Sequence, residues 1–474
     1  MTRVAGSPMM AATAICGREA LPRPSAPKRR RRLTVLFRAV LYALRGGFLV
    51  RPLVIALVLG AAGMMFSEAE ETVPALGAWV PLVLFPSHAD PQVAQVILSG
   101  IATSIMTVVS IVFAILLMTI TLASMQFSPR ILVSFVRDRT TQWTLGIFLG
   151  TFSYCMAALP AARALPVPFS PVATVAGAML LALLCVGWLI FFIHHISQAI
   201  SVNHIVDRIA GETERVIDEL MPYPRRPVWR AEAAVPRGLV PGAMARRVPV
   251  ASPASGYIRF VDTERLLAVA KAARLQVQVT RRVGHFVSEG VPLLTVSRGD
   301  RLDGAVQAAL LSTFDVGPAR TLQQDVEFGV IQIVDIALRA ISPAVNDPST
   351  AITCLDQLGR IMIRWIGREE PAGVLFDPPH VPRVTIPWID VDGLLETAFE
   401  QIRHYAQSDL PVSLRLLRTL QDIAVTTEDA EIRRRLLARA DQVMVACRGR
   451  LDEVALRRLV DRLTNLHAIV EAGG

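Results

Sequence analysis

The chain has very little lysine and cysteine, and it lacks the short motifs by which common enzyme classes are recognised. Lys28 and Lys271 are its only lysines, so arginine supplies nearly all of the basic charge and the net charge is +9. The five cysteines form no CxxC pair and predict no disulfide framework. No P-loop, glycine-rich dinucleotide turn, zinc signature or Ser-His-Asp elbow is present. We therefore expect a protein that is not an enzyme and has no catalytic residues, cofactor or metal.

The sequence also lacks a nucleic-acid motif, and its basic residues are not interleaved with base-stacking aromatics. We expect no nucleic-acid partner. What the sequence has in abundance is apolar residues, at 52% of the chain with a mean hydropathy of +0.45. They concentrate in the first two hundred positions, in four long runs near 48–66, 97–125, 143–162 and 171–193. A helix of about 20 apolar residues crosses a bilayer core, so the sequence predicts four transmembrane helices.

The distribution of arginine predicts the orientation of these helices. The segment 67–96 contains no Lys or Arg, whereas 126–142 carries Arg130, Arg137 and Arg139, and the chain after 194 is again rich in arginine. Since basic loops stay inside, the N-terminus and the C-terminal part are predicted to be cytoplasmic. The apolar segment 76–86 is too short to span, and we interpret it as an element of the outer interface.

We predict a mainly α-helical membrane protein with a small barrel-like or hairpin-like β module. The predicted division is a basic tail at 1–34, a four-helix transmembrane domain at 35–200, a helical extension with a Pro- and Arg-rich linker at 201–255, the β module at 256–298 and a helical cytoplasmic domain at 299–474. Short β-branched runs separated by glycines indicate the module. Predicted helices of the last domain cover 302–313, 320–341, 349–367, 391–407, 412–425, 428–448 and 451–470, and the Pro-rich segment 370–388 is predicted as a loop or short extended piece.

One face of the second predicted span carries small and hydroxyl side chains. They recur in steps of four and three residues, at Thr103, Thr107, Ser110, Ala114, Leu117, Thr121, Ser124 and Ser128. This spacing places them on one side of a helix. Helix packing is the interpretation that we favour, because small residues let two backbones approach closely. The alternative is that the same face of several protomers lines a polar pathway.

A second candidate group of polar residues lies in the C-terminal part. Its members are Asp325, Glu327, Asp335, Arg339, Asn346 and Asp347. Asp335 and Arg339 are four residues apart and are able to pair on one helix. Asp347 precedes a proline and is suited to cap a helix. We favour these structural roles over a cation site. For His194 and His195, at the end of the fourth span, we favour packing over metal binding because their spacing gives no pair of ligands on one face.

Three stretches together resemble a known family. They are LASMQFSPRILVSFVRDRTTQWTLGIFLGTFSY, FFIHHISQAI and QQDVEFGVIQIVDIALRAISPAVNDPSTA, and the resemblance runs from about 35 to 470. The family is the bacterial predicted-membrane-protein family called domain of unknown function 2254. The resemblance implies a bacterial inner-membrane location and supplies no activity, substrate or site residues.

The function that we favour from the sequence is a homo-oligomeric, channel-like protein with a cytoplasmic gating or sensing domain. No Asp, Glu or Lys lies in the central part of a predicted span, which argues against proton- or sodium-coupled transport. Besides the lipid bilayer, its partners would be further copies of the chain, and the permeant species or ligand is unknown. The alternative is a membrane-anchored scaffold or sensor whose cytoplasmic domain binds a partner or ligand. A metal-dependent enzyme is the third and weakest class.

Overall fold

Four long apolar helices form the first part of the molecule. The computed structural model describes residues 50–73, 90–126, 139–163, 169–199, 201–225, 247–378 and 380–472. The helices are α1 (Val50–Thr72), α2 (Pro91–Gln126), α3 (Arg139–Ala158) and α4 (Val172–Ala199). Each is long and apolar enough to cross a membrane, so the four predicted spans are confirmed. The predicted interfacial element 76–86, the tail 1–34 and Ser128 lie outside the described residues.

Helix α3 is the central helix of this bundle. Half of the residues in its most apolar stretch are buried, against about a fifth of the residues in the most apolar stretch of each of the other three helices. It packs most closely on α1, where a Cβ added at Gly63 would lie only 2.6 Å from the Tyr154 carbonyl oxygen. Glycine at this position therefore lets the two backbones touch, as expected where helices associate in lipid.

A buried carboxylate joins the C-terminal end of α1 to the N-terminal end of α4. The two oxygens of Glu70 accept hydrogen bonds from the Ala173 and Thr174 amides at 2.7 and 3.0 Å, and from the Thr174 hydroxyl at 2.9 Å. Glu70 thus satisfies donors that the first turn of α4 leaves without intrahelical partners. This residue stands at the end of α1, away from the middle of the span.

A mixed α/β region follows helix α5 (Val202–Leu220). Its strands are β1 (Val248–Ala251), β2 (Gly256–Val261), β3 (Val277–Val279), β4 (Phe286–Val287), β5 (Pro292–Val296), β6 (Phe314–Gly317), β7 (Val374–Asp377) and β8 (Val381–Thr385). They form a five-stranded sheet in the order β1-β5-β3-β8-β7 and a three-stranded sheet in the order β4-β2-β6. Helices α6 (Thr263–Ala272) and α7 (Gly304–Leu311) accompany the sheets.

The sheets therefore take strands from both sides of the predicted module at 256–298. The segment 370–388 supplies the antiparallel hairpin β7–β8, and β8 pairs in parallel with β3 through Val277 and Val384. Strand β3 lies more than a hundred residues before β8, so the sequence around either strand does not predict this pairing. One apolar core lies under both sheets, with members such as Ile258, Leu266 and Leu294.

The remaining helices form one large core together with α5. They are α8 (Val326–Ala340), α9 (Pro348–Ile366), α10 (Val391–Tyr405), α11 (Leu410–Thr426), α12 (Ala430–Cys447) and α13 (Glu453–Ala472). Aspartate side chains accept hydrogen bonds from first-turn amides at Asp262, Asp303, Asp325, Asp347, Asp390, Asp409 and Asp429. Such caps fix where each helix begins. The predicted helix 320–341 thus starts too early, because the chain becomes helical only after Asp325.

Candidate functional site

Helix α5 connects the membrane bundle to the C-terminal helices. The fourth span ends at Ala199, and α5 starts at Val202 after a short break. The apolar face of α5, including Ile205, Ile209 and Ile217, is buried in the same core as α8 and α9. A displacement of the fourth span would therefore reach the C-terminal core through α5.

A cavity of about 410 Å³ opens at this break. Its walls come from α2, α3, α4 and α5, through Leu116, Thr119, Thr141, His195, Ile196, Gln198, His204, Ile205, Asp207 and Arg208. The Thr119 and Thr141 side chains are buried. The volume is in the range of small-molecule sites, which combine apolar walls with a few polar groups. Its size and lining make this cavity a candidate ligand site.

Several polar groups of the cavity already have partners within the chain. The Thr119 hydroxyl donates to the Ile115 carbonyl at 2.8 Å. The Gln198 amide nitrogen lies 3.1 Å from His194 Nε2. Asp207, the only acidic residue of the described lining, accepts from Arg360 Nη1 at 2.8 Å.

Arg360 belongs to a row of ion pairs that joins α5 to α9. It also binds Glu214 with two nitrogens, at 3.0 and 2.6 Å. One turn further on, Arg364 binds Asp218 at 2.9 and 2.6 Å, and Arg368 lies 2.6 Å from the same carboxylate. The hydrogen bond from Arg364 is the main cause that holds the pKa of Asp218 below its ordinary value. These pairs are partly exposed, so each contributes about 0–1 kcal/mol, but together they fix the register of the two helices.

A second polar centre joins the β region to the start of α8. Arg320 binds Asp325 through Nε and Nη2, at 2.8 and 2.9 Å, and its Nη2 also reaches Glu327 at 2.9 Å. Arg282 contacts the other oxygen of Glu327 at 2.8 Å. The Asp325 side chain is only 4% exposed, so these charges depend on one another.

Gly284 and His285 complete this centre. Gly284 has φ of +89°, and a Cβ there would lie 2.3 Å from Asp325 Oδ2. His285 Nε2 accepts a hydrogen bond from Arg282 Nε at 2.8 Å, which requires a neutral ring. Burial, followed by the charge of Arg282, lowers the pKa of His285. Burial disfavours the charged form of Glu327, but Arg282 and Arg320 outweigh it and hold the pKa of that carboxyl below its usual value.

The structure brings together only part of the predicted C-terminal polar group. Asp325 and Glu327 meet at the start of α8, whereas Asp335 and Arg339 lie further along that helix. Asn346, with φ of +49°, and Asp347 form the turn after it. Helix α8 has 15 residues, so the two ends are about 20 Å apart. Asp347 accepts from the Thr350 amide at 3.1 Å and caps α9, as predicted.

Among the described residues, no three His, Cys, Asp or Glu side chains are grouped as metal ligands. Gathering of the six residues into one cation site is therefore not observed. His194 and His195 lie at the end of α4, where His195 stacks against Phe191 with ring centroids 6.3 Å apart. That contact agrees with the packing role favoured from the sequence.

The hydroxyl face of α2 lies on the outside of the bundle. Thr103, Thr107, Ser110 and Thr121 are exposed, while Ala102, Ile105, Val112 and Leu116 on the opposite side are buried. The hydroxyls of Thr107, Ser110 and Thr121 donate to carbonyls four residues back, at 3.1, 3.0 and 2.8 Å. Packing of this face against the other helices of the same chain is therefore not observed. Ser124 falls in the last turn of α2.

The residues that sequence reasoning missed are arginines. Arg282 and Arg320 supply the charges that hold Asp325 and Glu327, and Arg360, Arg364 and Arg368 hold α5. Arg360, Arg364 and Arg368 are four residues apart, and this spacing in the sequence indicates one charged face of α9. Nothing in linear spacing connects Arg282 to Glu327, 45 residues apart.

The fold defines a polytopic α-helical membrane protein that carries a C-terminal region of two small sheets and a helical core. The chain belongs to the family described as predicted membrane protein, DUF2254, whose model matches residues 45–422. Relatives include the uncharacterized proteins Mb1321c of Mycobacterium bovis and Rv1290c of Mycobacterium tuberculosis. Each is 30% identical over 399 residues, which is 83% of this chain and 74% of the relative. No solved structure matches the chain. The resemblance inferred from the sequence is thereby confirmed.

Proposed function

We propose that the protein is a homo-oligomeric, channel-like protein of the bacterial inner membrane. In this proposal α2 faces the symmetry axis, and the C-terminal region is a cytoplasmic gate or sensor. The observation that carries the proposal is the outward position of the hydroxyl face of α2, directly opposite the face that packs on the chain's own helices. The same faces of neighbouring protomers would then surround a path lined by Thr103, Thr107, Ser110 and Thr121.

The connection through α5 supports a gating role for the C-terminal region. Its apolar face belongs to the C-terminal core, and its acidic residues bind the arginines of α9. A ligand or partner that shifts the C-terminal helices would therefore move the end of the fourth span. Ion pathways do not need charges within the bilayer, since hydroxyls and charged mouths are able to select ions.

Reconstitution of the purified full-length protein into liposomes tests this proposal. We expect ion flux or single-channel currents, and an oligomer in light scattering of the detergent-solubilised protein. Thr107→Trp should reduce the flux at least several-fold. Leu183→Trp is the matched control, because Leu183 is 70% exposed on α4 and would face lipid. A monomer without conductance would reject the channel.

The second candidate is a membrane-anchored scaffold or sensor, and one observation favours it. The hydroxyls of Thr107, Ser110 and Thr121 bond to their own helix, which lowers the cost of facing lipid. The spans would then serve only as an anchor. For this candidate, no flux is measurable with the native chain or with variants at Thr107 or Ser110.

A further inference from the structure

Helix α5 begins where the spans leave the membrane. Its residue Ile205 shares a cavity wall with Thr141 of α3 and Ile196 of α4. Thr141 lies between Arg139, the first residue of α3, and Trp143, which is half exposed. Arginine and tryptophan collect at the boundary between bilayer and water. The start of α5 therefore lies at that boundary.

Helix α9 runs in the same direction as α5 and begins at the same level. Arg360 donates to Asp207 at 2.8 Å, and further along both helices Arg368 donates to the Pro222 carbonyl at 3.1 Å. Twelve residues of α9 (348–359) precede Arg360, and five residues of α5 (202–206) precede Asp207. At about 1.5 Å per residue, α9 thus begins beside or slightly beyond the start of α5. The turn 341–347, which leads into α9, therefore lies at the membrane boundary as well.

Helix α11 also runs in this direction. Arg415 pairs with Asp356 of α9, and one turn further on a Cβ added at Gly359 would lie 2.7 Å from Thr419 Cγ2. The two contacts follow the same order along α9 and α11, so these helices are parallel and start at one end. The turn 406–409, immediately before α11, is therefore at the same end as the turn before α9.

Helix α12 ends beside the start of α11. The Cys447 thiol lies 3.5 Å from the Ser413 hydroxyl, and both residues are buried. The turn 448–452 after α12 is thus at the same end as the turns 341–347 and 406–409. We call the surface formed by these three turns the near end of the C-terminal helices, because it is the end from which α5 enters.

The near end exposes apolar and aromatic side chains. Val345 is 54% exposed and Tyr405 is 63% exposed, and Pro343, Ala344 and Pro411 are exposed as well. Tyrosine combines an apolar ring with a polar hydroxyl and is enriched where bilayer meets water. Apolar side chains that enter this boundary gain roughly 25 cal/mol for each Å² removed from water. The composition of the near end therefore suits a lipid surface.

The backbone of the turn 341–347 holds Val345 in its outward position. The amides of Val345 and Asn346 donate to the Ser342 carbonyl at 3.1 and 2.9 Å. Backbone groups that are paired within the protein enter an apolar environment at lower cost than free ones. The tip of this turn is therefore suited to contact lipid.

An excess of positive charge does not explain an attraction to the membrane at the near end. Arg448 and Arg450 are exposed there, but four acidic residues lie at the same end, namely Asp347, Asp409, Asp452 and Glu453. The three aspartates accept hydrogen bonds from first-turn amides of α9, α11 and α13. A contact with lipid would therefore depend on the apolar and aromatic side chains.

We propose that the near end of the C-terminal helices rests on the bilayer surface, with Val345 and Tyr405 inserted at the headgroup boundary. Lipid is the occupant because the near end lies where the spans leave the membrane, so the contact continues the surface that the four spans present to lipid. It would hold the C-terminal helices against the membrane beside the fourth span. The proposal goes beyond the channel hypothesis and does not depend on ion conduction.

Quenching of a fluorophore on the full-length protein by labelled lipid tests the contact. Ala344→Cys and Ala430→Cys are made in a Cys16→Ser chain, whose other four cysteines are buried, and each is labelled with a nitrobenzoxadiazole fluorophore. Ala430 is the matched control, because it is exposed in the first turn of α12 and the 18 residues of this helix place it about 25 Å from the near end. The proteins are reconstituted into dioleoyl phosphatidylcholine vesicles in which part of the lipid of both leaflets carries a nitroxide on its headgroup. Circular dichroism and gel filtration check that each variant is folded.

We expect the nitroxide lipid to quench the label at 344 at least about twofold more than the label at 430, in low and in high salt. Tyr405→Asp should lower the quenching at 344 about twofold or more. Tyr223→Asp should leave it unchanged, because Tyr223 is similarly exposed but lies beyond the far end of α5.

Equal quenching of the two labels, no quenching at 344, or equal effects of the two tyrosine variants would overturn the proposal. Loss of the quenching in high salt would assign the contact to charge and would overturn it as well. These outcomes are independent of any flux measurement.

Discussion

Arg320 and Asp325 form a two-point ion pair at the start of α8, with Nε 2.8 Å from Oδ2 and Nη2 2.9 Å from Oδ1. The same Asp325 oxygen that faces Nη2 also caps the helix by accepting from the Phe328 amide at 3.0 Å. The Asp325 carboxylate thus caps α8 and binds Arg320 at the same time. The arginine in turn reaches Glu327, so the contact between the β region and the helical core depends on this pair.

Arg320→Gln should destabilise the C-terminal region by about 3–5 kcal/mol, the usual cost of leaving a buried charge without its partner. Asp325 and Glu327 would both lose a counter-charge at side chains only 4% and 11% exposed. Guanidinium unfolding of the full-length protein measures the loss. Tryptophan fluorescence follows it locally, because Trp365 and Trp388 lie around these carboxylates.

Arg434→Gln is the control for this prediction. Arg434 is 69% exposed and pairs with Glu431 on the surface of α12, so its loss should cost under about 0.5 kcal/mol. Equal losses in the two variants would mean that the Arg320 pair is not a stabilising contact.

Gly284→Ala and Gly290→Ala provide a matched test of the close approach at this centre. Both glycines have positive φ, +89° and +81°, so each alanine costs about 1 kcal/mol of backbone strain. Only at Gly284 would the new Cβ collide, at 2.3 Å from Asp325 Oδ2, whereas no described atom lies within 4 Å at Gly290. We expect Gly284→Ala to lose a further 1–3 kcal/mol or so in the same unfolding measurement. Similar losses at both positions would contradict the observed approach.

Elements of the fold that depend on neighbouring residues were predictable from the sequence. The four spans follow from their length, and Asp347 with Pro348 predicts the start of α9. The predicted helix 391–407 corresponds to Val391–Tyr405, and 428–448 corresponds to Ala430–Cys447. In each case an aspartate cap and a regular apolar spacing are present within a few turns.

Contacts between distant segments were not predictable in the same way. Strand β8 pairs with β3, which lies about a hundred residues earlier in the chain. The cavity is formed by residues from four different helices. The error at 320–325 has a specific cause, since Arg320 and Asp325 form a turn that apolar spacing alone does not distinguish from a first helical turn. The hydroxyl face of α2 was visible in the sequence, but its outward direction required the packing of α3 and α4 on the other side.

Acidification should destabilise the contact between the β region and α8. The pKa of His285 in the folded protein is below its ordinary value of 6.5, so the folded state prefers the neutral ring. Its contribution is present above about pH 6.5 and is lost as the pH falls through the folded pKa. The pKa of Glu327 is also lowered in the folded protein, so its contribution to stability is likewise lost on acidification, at pH values below its ordinary pKa of 4.5. The denaturant midpoint should therefore fall between pH 7.5 and 5, and further below pH 4.5.

His285→Gln isolates the first of these two steps. Glutamine has no charge to gain, so the fall between pH 7.5 and 5 should become shallower while the fall below pH 4.5 remains. An unchanged profile of the midpoint against pH would show that His285 does not contribute to it.

The ion pairs between α5 and α9 should be individually weak but measurable. A double-mutant cycle of Arg360→Ala and Glu214→Ala is expected to give a coupling energy of about 0.5–1 kcal/mol, because the contact has two hydrogen bonds and Glu214 is 20% exposed. The coupling should fall as salt is raised, since a screening length of about 8 Å at physiological ionic strength acts on partly exposed charges. The pair Arg418 and Asp422 is the control, with a 4.0 Å separation and both side chains more than half exposed, and its coupling should be near zero. If both cycles give the same value, the row along α9 contributes no more than any surface pair, and α5 is held to the C-terminal core by its apolar face alone.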